Sequence, residues 1–148
     1  MSVSNPIHHS VGRWCYDDIP LEAFCAAAKG MGIASVELLE TSDFTVLRTY
    51  DLDCAMVTFP TTVTNQGVKV GMIERAFNRP EHHDALAEVY ESKLRDCAGV
   101  GAKQLICFSG NRDGMDDEEG LENCATGLKR ILPLAEKLGV TLTMELLN

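Results

Sequence analysis

The run Val140-Thr141-Leu142-Thr143-Met144-Glu145-Leu146-Leu147-Asn148 closes the sequence and decides how the rest of it is read. Val140, Leu142, Met144 and Leu146 share one parity, while Thr141, Thr143 and Glu145 share the other, which predicts a buried β-strand with one carboxylate on its inner face. Burying an unpaired carboxylate costs several kcal/mol or shifts its pKa sharply. Such a group is kept for a metal, a cation, a proton transfer or a buried structural hydrogen bond.

Upstream of this strand the clearest helix places Leu121, Cys124, Ala125, Leu128, Ile131, Leu132, Ala135 and Leu138 at helical spacing. Asp116 and Glu119 start it as a capping-box-like pair, Pro133 is expected to kink it, and Gly139 to cap it. Before it lie a strand at 104–109 and a long helix marked by Leu86, Ala87, Tyr90, Leu94 and Cys97, which Gly99 and Gly101 terminate. The loop 60–80, rich in Thr, Gly and Asn, is longer than connections usually are without a functional reason. Further upstream the pattern gives a strand at 53–59, a short helix at 43–50, an apolar strand at 33–39, a helix at 20–29 and a first strand at 8–12. Pro20 suits the first turn of its helix, and Gly30 and Gly32 end it.

This order is β-α four times and then a fifth strand. Parallel strands need crossover helices and bury both faces, so the alternation predicts an α/β fold with a parallel sheet. A doubly wound sheet would often carry a Gly-rich phosphate loop after its first strand, and Gly12-Arg13-Trp14-Cys15-Tyr16 has none. A (β/α)8 barrel places polar groups at the C-terminal strand ends, where Thr58, Ser109 and Glu145 fall. Such a barrel typically takes about 250 residues. The expectation is therefore a partial (β/α)8 barrel of about five parallel strands and four helices: residues 1–148 as a single N-terminal portion of the domain, truncated after the fifth strand.

Composition narrows the function. The 148 residues are 45% hydrophobic, enough for one domain with a sizeable core, and a second domain is not expected. A net charge of -9, with no Lys/Arg block, opposes nucleic-acid binding and favours small-molecule work. No apolar run approaches the roughly 20 residues of a membrane span, and residues 1–5 lack the basic and apolar regions of a leader. The expectation is a cytoplasmic protein. Six cysteines without a CxxC pair fall mostly at apolar positions and read as reduced core residues.

Particular segments carry a family resemblance: Arg13-Trp14-Cys15-Tyr16, Ser35-Val36-Glu37-Leu38-Leu39, Ala76-Phe77-Asn78-Arg79, Leu105-Ile106-Cys107-Phe108-Ser109-Gly110-Asn111-Arg112, Gly120-Leu121-Glu122-Asn123-Cys124 and Met144-Glu145-Leu146-Leu147-Asn148. From about Val11 to Asn148 the chain resembles the hydroxypyruvate isomerase family, within the xylose-isomerase-like TIM barrels. The resemblance implies an isomerase of carbohydrate metabolism that interconverts hydroxypyruvate and tartronate semialdehyde. It also implies that Glu145, at the end of the fifth strand, binds a divalent metal and serves the proton transfer, with further ligands and a second catalytic glutamate on later strands not encoded in this chain. Catalysis by the isolated chain is then not expected.

The chemistry fits those residue types. Moving a carbonyl to the adjacent carbon passes through an enediolate, whose charge a metal bridging both oxygens would stabilise, and oxygen ligands suit Mg²⁺ or Mn²⁺. Arg13, Trp14 and Tyr16 follow the first strand, where they either wall a site for an anionic keto acid or form a surface arginine with a packed Trp. Glu37 either orients substrate or sits in a structural ion pair. Asn111 and Arg112 either touch substrate or belong to a turn satisfied by its own Asn and Gly.

Other signals carry less. The acidic run Asp113, Asp116, Asp117, Glu118 and Glu119 lacks EF-hand spacing and suits a helix start. His8-His9 and His82-His83 diverge in either regular structure. Gly30-Met31-Gly32 is a helix exit. Three readings stay open: the isomerase, with a small keto acid or sugar as substrate; a non-enzymatic half-barrel that self-associates into a homo-oligomer through open edges of strands one and five; and another epimerase, dehydratase or endonuclease on the same barrel, the endonuclease being disfavoured by the acidic balance.

Overall fold

The computed structural model describes residues 7–145. They fall into two compact units, divided between Val57 and Thr58.

In the first unit, β1 (Ser10–Gly12) leads through a 3-10 turn (Arg13–Tyr16) to α1 (Leu21–Gly30), β2 (Ser35–Glu37), a second 3-10 turn (Thr41–Asp43) and α2 (Phe44–Thr49). Strands β1 and β2 are parallel, with Ser10 opposite Ser35 and Gly12 opposite Glu37. The apolar face of α1, formed by Phe24, Cys25 and Ala28, packs with Val36, Leu39, Leu47 and Leu52 into one buried cluster. Each such large side chain contributes about 1.5–3 kcal/mol by leaving water.

The strand expected at 53–59 is not a continuous ladder. It survives as two parallel bridges, Ser35 with Asp53 and Leu39 with Val57. The backbone explains the interruption: Asp53 and Val36 exchange bonds with the opposite segment, but Leu38 turns into the left-handed region (φ 60°) and reaches across to Met56 O. A residue in that conformation breaks the pleat.

In the second unit, the loop expected at 60–80 contains an antiparallel hairpin, β3 (Thr62–Val63) with β4 (Lys69–Val70). A 3-10 turn (Pro80–His82) then opens α3 (His83–Val100), followed by β5 (Gln104–Phe108), α4 (Asp117–Lys129), α5 (Leu132–Leu138) and β6 (Thr141–Glu145). The single expected helix is therefore two. Its break falls at Arg130–Ile131, just before Pro133, whose missing N–H fits the first turn of α5 and not a helix interior. Asp116 accepts from the backbone N–H groups of Glu118 and Glu119 at the start of α4, and Gly139 closes α5 in the left-handed conformation.

Strands β5 and β6 pair in parallel with Gln104 opposite Thr141 and Phe108 opposite Glu145. Phe77, Leu86, Tyr90, Leu94, Leu105 and Ile131 are fully buried in this unit. Tyr90 packs against Phe77 at 5.2 Å and donates its hydroxyl to Ile106 O at 3.3 Å. The buried rings of His82 and His83 bond separately to Ala76 O and Phe77 O, tying the turn 76–79 to α3.

The fold class is α/β, with parallel strands and covering helices of a partial (β/α)8 barrel. Leu146, Leu147 and Asn148 lie outside the described residues, as does the start at 1–5. Among the described residues no helix is long and apolar enough to cross a membrane. No disulfide links the six cysteines; four are buried, Cys54 is half-buried and Cys15 is exposed.

Candidate functional site

Parallel strands present the same polarity, so the carboxyl ends of β5 and β6 open side by side, the end at which α/β proteins bind ligands. A cavity of about 550 Å³ lies there, within the second unit. Its wall includes Asn78, Phe108, the loop 109–113 and Glu145, and the exposed apolar side chains of Ile73 and Leu121 belong to its lining.

Glu145 is exposed, which corrects the expectation of a buried inner-face carboxylate. Thr143 and Met144 are both half-buried, so the alternation of β6 does not resolve into a dry and a wet face. Among the described residues β6 pairs only with β5, and a strand flanked on one edge leaves its end open to solvent.

The loop after β5 is the most constrained part of the wall. Gly110 (φ 105°), Asp113 (φ 43°) and Gly114 (φ 78°) all have left-handed backbone. Asn111 is exposed; its N–H donates to Glu74 O at 3.0 Å and its carbonyl accepts from Asn78 Nδ2 at 2.6 Å. Arg112 donates from Nε to Met115 O at 3.0 Å and pairs with Asp117 at 3.2 Å, both partners of that pair being largely exposed. An exposed pair of this kind is worth about 0–1 kcal/mol and leaves the guanidinium exchangeable.

The cavity thus gathers Asn111, Arg112 and Glu145 from the residues the sequence singled out. Arg13, Trp14 and Glu37 belong to the first unit. The guanidinium of Arg13 donates to the carbonyls of Tyr16, Asp17 and Ile19 and stands 5.4 Å from the Phe24 ring, so it closes its own turn. Trp14 is 67% exposed, and Glu37 is half-buried at the end of β2.

Sequence reasoning missed other wall residues, among them Asp113, Asp116 and Asp117, which it read only as a helix start, and two that bear on the chemistry, Asn78 and Cys124. Asn78 is buried to 5% exposure and holds the loop from below; its signal was present only as a polar residue between Phe77 and a Pro-led helix start. Cys124 lines the cavity with its thiol directed at Ser109 O, 3.8 Å away. Burial raises the Cys124 thiol above its ordinary range, and burial, then the neighbouring Cys124, pushes Cys107 up to about 12. Both therefore stay neutral near pH 7 and are poor nucleophiles.

Among the described residues no group of three or more His, Cys, Asp or Glu side chains is arranged to hold a metal ion. Glu145 alone offers a single carboxylate, and the described residues do not complete the expected Mg²⁺ or Mn²⁺ site.

No family model matches the sequence, and no curated protein matches it. Solved structures do match. A family 2 AP endonuclease from Brucella melitensis superposes with a TM-score of 0.69 at 16% identity, covering 95% of this chain and 55% of its own. D-psicose 3-epimerase from Clostridium cellulolyticum H10, with D-tagatose, gives 0.70 at 10% identity, covering 96% and 53%. The 3-keto-D-glucoside 4-epimerase of E. coli gives 0.70 at 14% identity, covering 97% and 57%. The chain spans about half the length of these structures and shares their fold over that half.

Proposed function

We propose that this chain supplies part of the site of a sugar or keto-acid isomerase, of which hydroxypyruvate to tartronate semialdehyde is the reaction that the resemblance favours. The observation that carries the reading is the meeting of Glu145, Asn111 and Arg112 in one cavity at the carboxyl ends of two parallel strands. The reaction moves a proton from C3 of hydroxypyruvate to C2, while the C3 hydroxyl proton ends on the C2 oxygen. The Glu145 carboxylate is of the right type to accept the carbon-bound proton and return it one atom away. Arg112 is of the right type to hold the substrate carboxylate, in exchange for Asp117, and the Asn111 side chain to bond a hydroxyl. A divalent metal would stabilise the enediolate when bound; the described residues do not complete its shell, so it is assigned no step. In the first unit, Arg13, Trp14 and Glu37 stand separately as proposed substrate-binding residues, with Arg13 the least available because three carbonyls already engage it.

A second reading, an epimerase or isomerase of uncharged sugars, is favoured by the charge of the wall. Asp113, Asp116, Asp117 and Glu145 line the cavity against one cation, Arg112. Such a wall repels a free carboxylate and accepts a polyol. The endonuclease alternative requires the opposite charge.

The test is a titration of the 148-residue protein with hydroxypyruvate and with D-psicose, with Mg²⁺ present. Saturable hydroxypyruvate binding, weakened at least tenfold (about 1.4 kcal/mol) by Arg112→Ala, supports the first reading; tighter D-psicose binding supports the second; binding of neither sinks both. No turnover is expected from this chain alone. Turnover that Glu145→Gln abolishes would show that copies of the chain complete a site together.

A further inference from the structure

Asn78 lies in the turn 76–79, which precedes α3. Its backbone and side chain bracket Gly110. The Asn78 N–H donates to Ser109 O at 2.7 Å, and its Nδ2 donates to Asn111 O at 2.6 Å, so the carbonyls on both sides of Gly110 hang from one residue. A third bond holds the clamp itself: Asn123 Nδ2, on α4, donates to Asn78 O at 3.1 Å.

Two further features belong to the same contact. Gly110 has φ 105°, and a Cβ added there would stand 2.2 Å from Asn78 Oδ1 and 2.8 Å from its Cγ. Asn78 Oδ1 is buried without a hydrogen-bond partner. Buried amide oxygens are normally paired, and each exception needs a reason. Here the reason is geometric: the short Nδ2 bond to Asn111 O fixes the amide orientation and turns Oδ1 into the space that the absent Cβ leaves.

We propose that Asn78 is a positioning residue of the cavity: it does not touch substrate, and it sets the backbone of 109–112 so that Asn111 and Arg112 face the same space as Glu145. An unpaired buried acceptor is tolerated because the alternative orientation would release Asn111 O and aim two amide hydrogens at Gly110. The functional part of this inference rests on the cavity being the substrate site; the clamp itself does not.

Three variants test it, with two readouts on the full 148-residue protein. Asn78→Ala removes the donor and the bulk. Asn78→Asp keeps the shape but replaces the donor with an oxygen that repels Asn111 O. Asn123→Ala frees the clamp and leaves Asn78 intact. Hydrogen exchange is read at 110–112 against 105–107 of β5, and hydroxypyruvate affinity is read by titration. The expected result is at least tenfold faster exchange at 110–112 in both Asn78 variants, change within twofold at 105–107, at least tenfold weaker hydroxypyruvate binding, and a smaller effect of Asn123→Ala in both readouts. If Asn78→Asp behaves as wild type, Asn78 only fills space and the proposal is overturned. It is equally overturned if the loop loosens while affinity stays unchanged. Wild-type protein that binds no hydroxypyruvate refutes the substrate reading instead; exchange at 110–112 then decides the clamp on its own.

Discussion

The two units use the same grammar, a short parallel strand pair with helices against it, and differ in how the loop leaving the strands is held. In the first unit the segment after β1 turns on itself, with Arg13 bonding three carbonyls within six residues and Trp14 left in solvent. In the second the segment after β5 is held by residues far away in sequence, Glu74, Asn78 and Arg79, and stands over a cavity. A polar loop held by its own neighbours is satisfied structure. A polar loop held open from elsewhere, over a cavity, is where a site can stand.

The contrast is sharpest at two glycines. Gly110→Ala meets Asn78 Oδ1 and a left-handed backbone, and is expected to destabilise by about 3 kcal/mol. Gly30→Ala, at the end of α1, meets nothing within 4 Å and is expected to be neutral or to stabilise by up to about 1 kcal/mol. Denaturant unfolding of both variants checks the pair; equal effects would mean that Gly110 is held no more tightly than a glycine at an open helix end.

How much of this was legible depended on sequence distance. Helix periodicity, the Asp116 cap and the Gly139 stop are local chemistry, and each was readable within a few residues; at Pro133 a kink was legible, but not that the helix stops at Lys129 and restarts at Leu132. The strand at 53–59 was overcounted because its apolar residues satisfy the pattern, while Leu38, at φ 60°, interrupts the pairing from the opposite side. Glu145 was expected in a dry interior because alternation was read as burial, and the described strand has a neighbour on one edge only. Asn78 was illegible as a site residue: its partners stand 33 and 45 positions away, and nothing local distinguishes it from a helix-start polar residue.

A second point of contrast is alkaline. Burial and Cys124 raise Cys107 from 9.0 to about 12, so in the folded protein this thiol stays protonated while the unfolded chain loses the proton first. Stability from this group is complete below pH 9 and falls as pH rises toward 12, by up to about 1.4 kcal/mol per pH unit. Cys107→Ala should flatten that decline in denaturant midpoints measured from pH 8 to 11, and iodoacetamide at pH 8 should label exposed Cys15 far ahead of Cys107. An unchanged slope would place the alkaline loss elsewhere.

Smaller effects complete the series. Asp116→Ala removes the side-chain acceptor for two N–H groups of α4 and should lower stability by about 1 kcal/mol, with faster exchange in the first turn of that helix. Trp14→Ala, on the exposed turn of the first unit, should change stability by less than about 0.5 kcal/mol. A larger loss at Trp14 would mean that the first unit's turn carries packing that its exposure does not show.

If the carboxyl ends of β5 and β6 form the ligand-binding end of this chain, backbone amide shifts followed by NMR during a hydroxypyruvate titration will report it at the loop and at the strand end together. Saturable shifts are expected at Ser109, Asn111, Arg112 and Glu145, all losing amplitude together in Asn78→Ala. Saturable shifts that leave 109–112 and Glu145 unmoved would place the ligand elsewhere and refute that assignment.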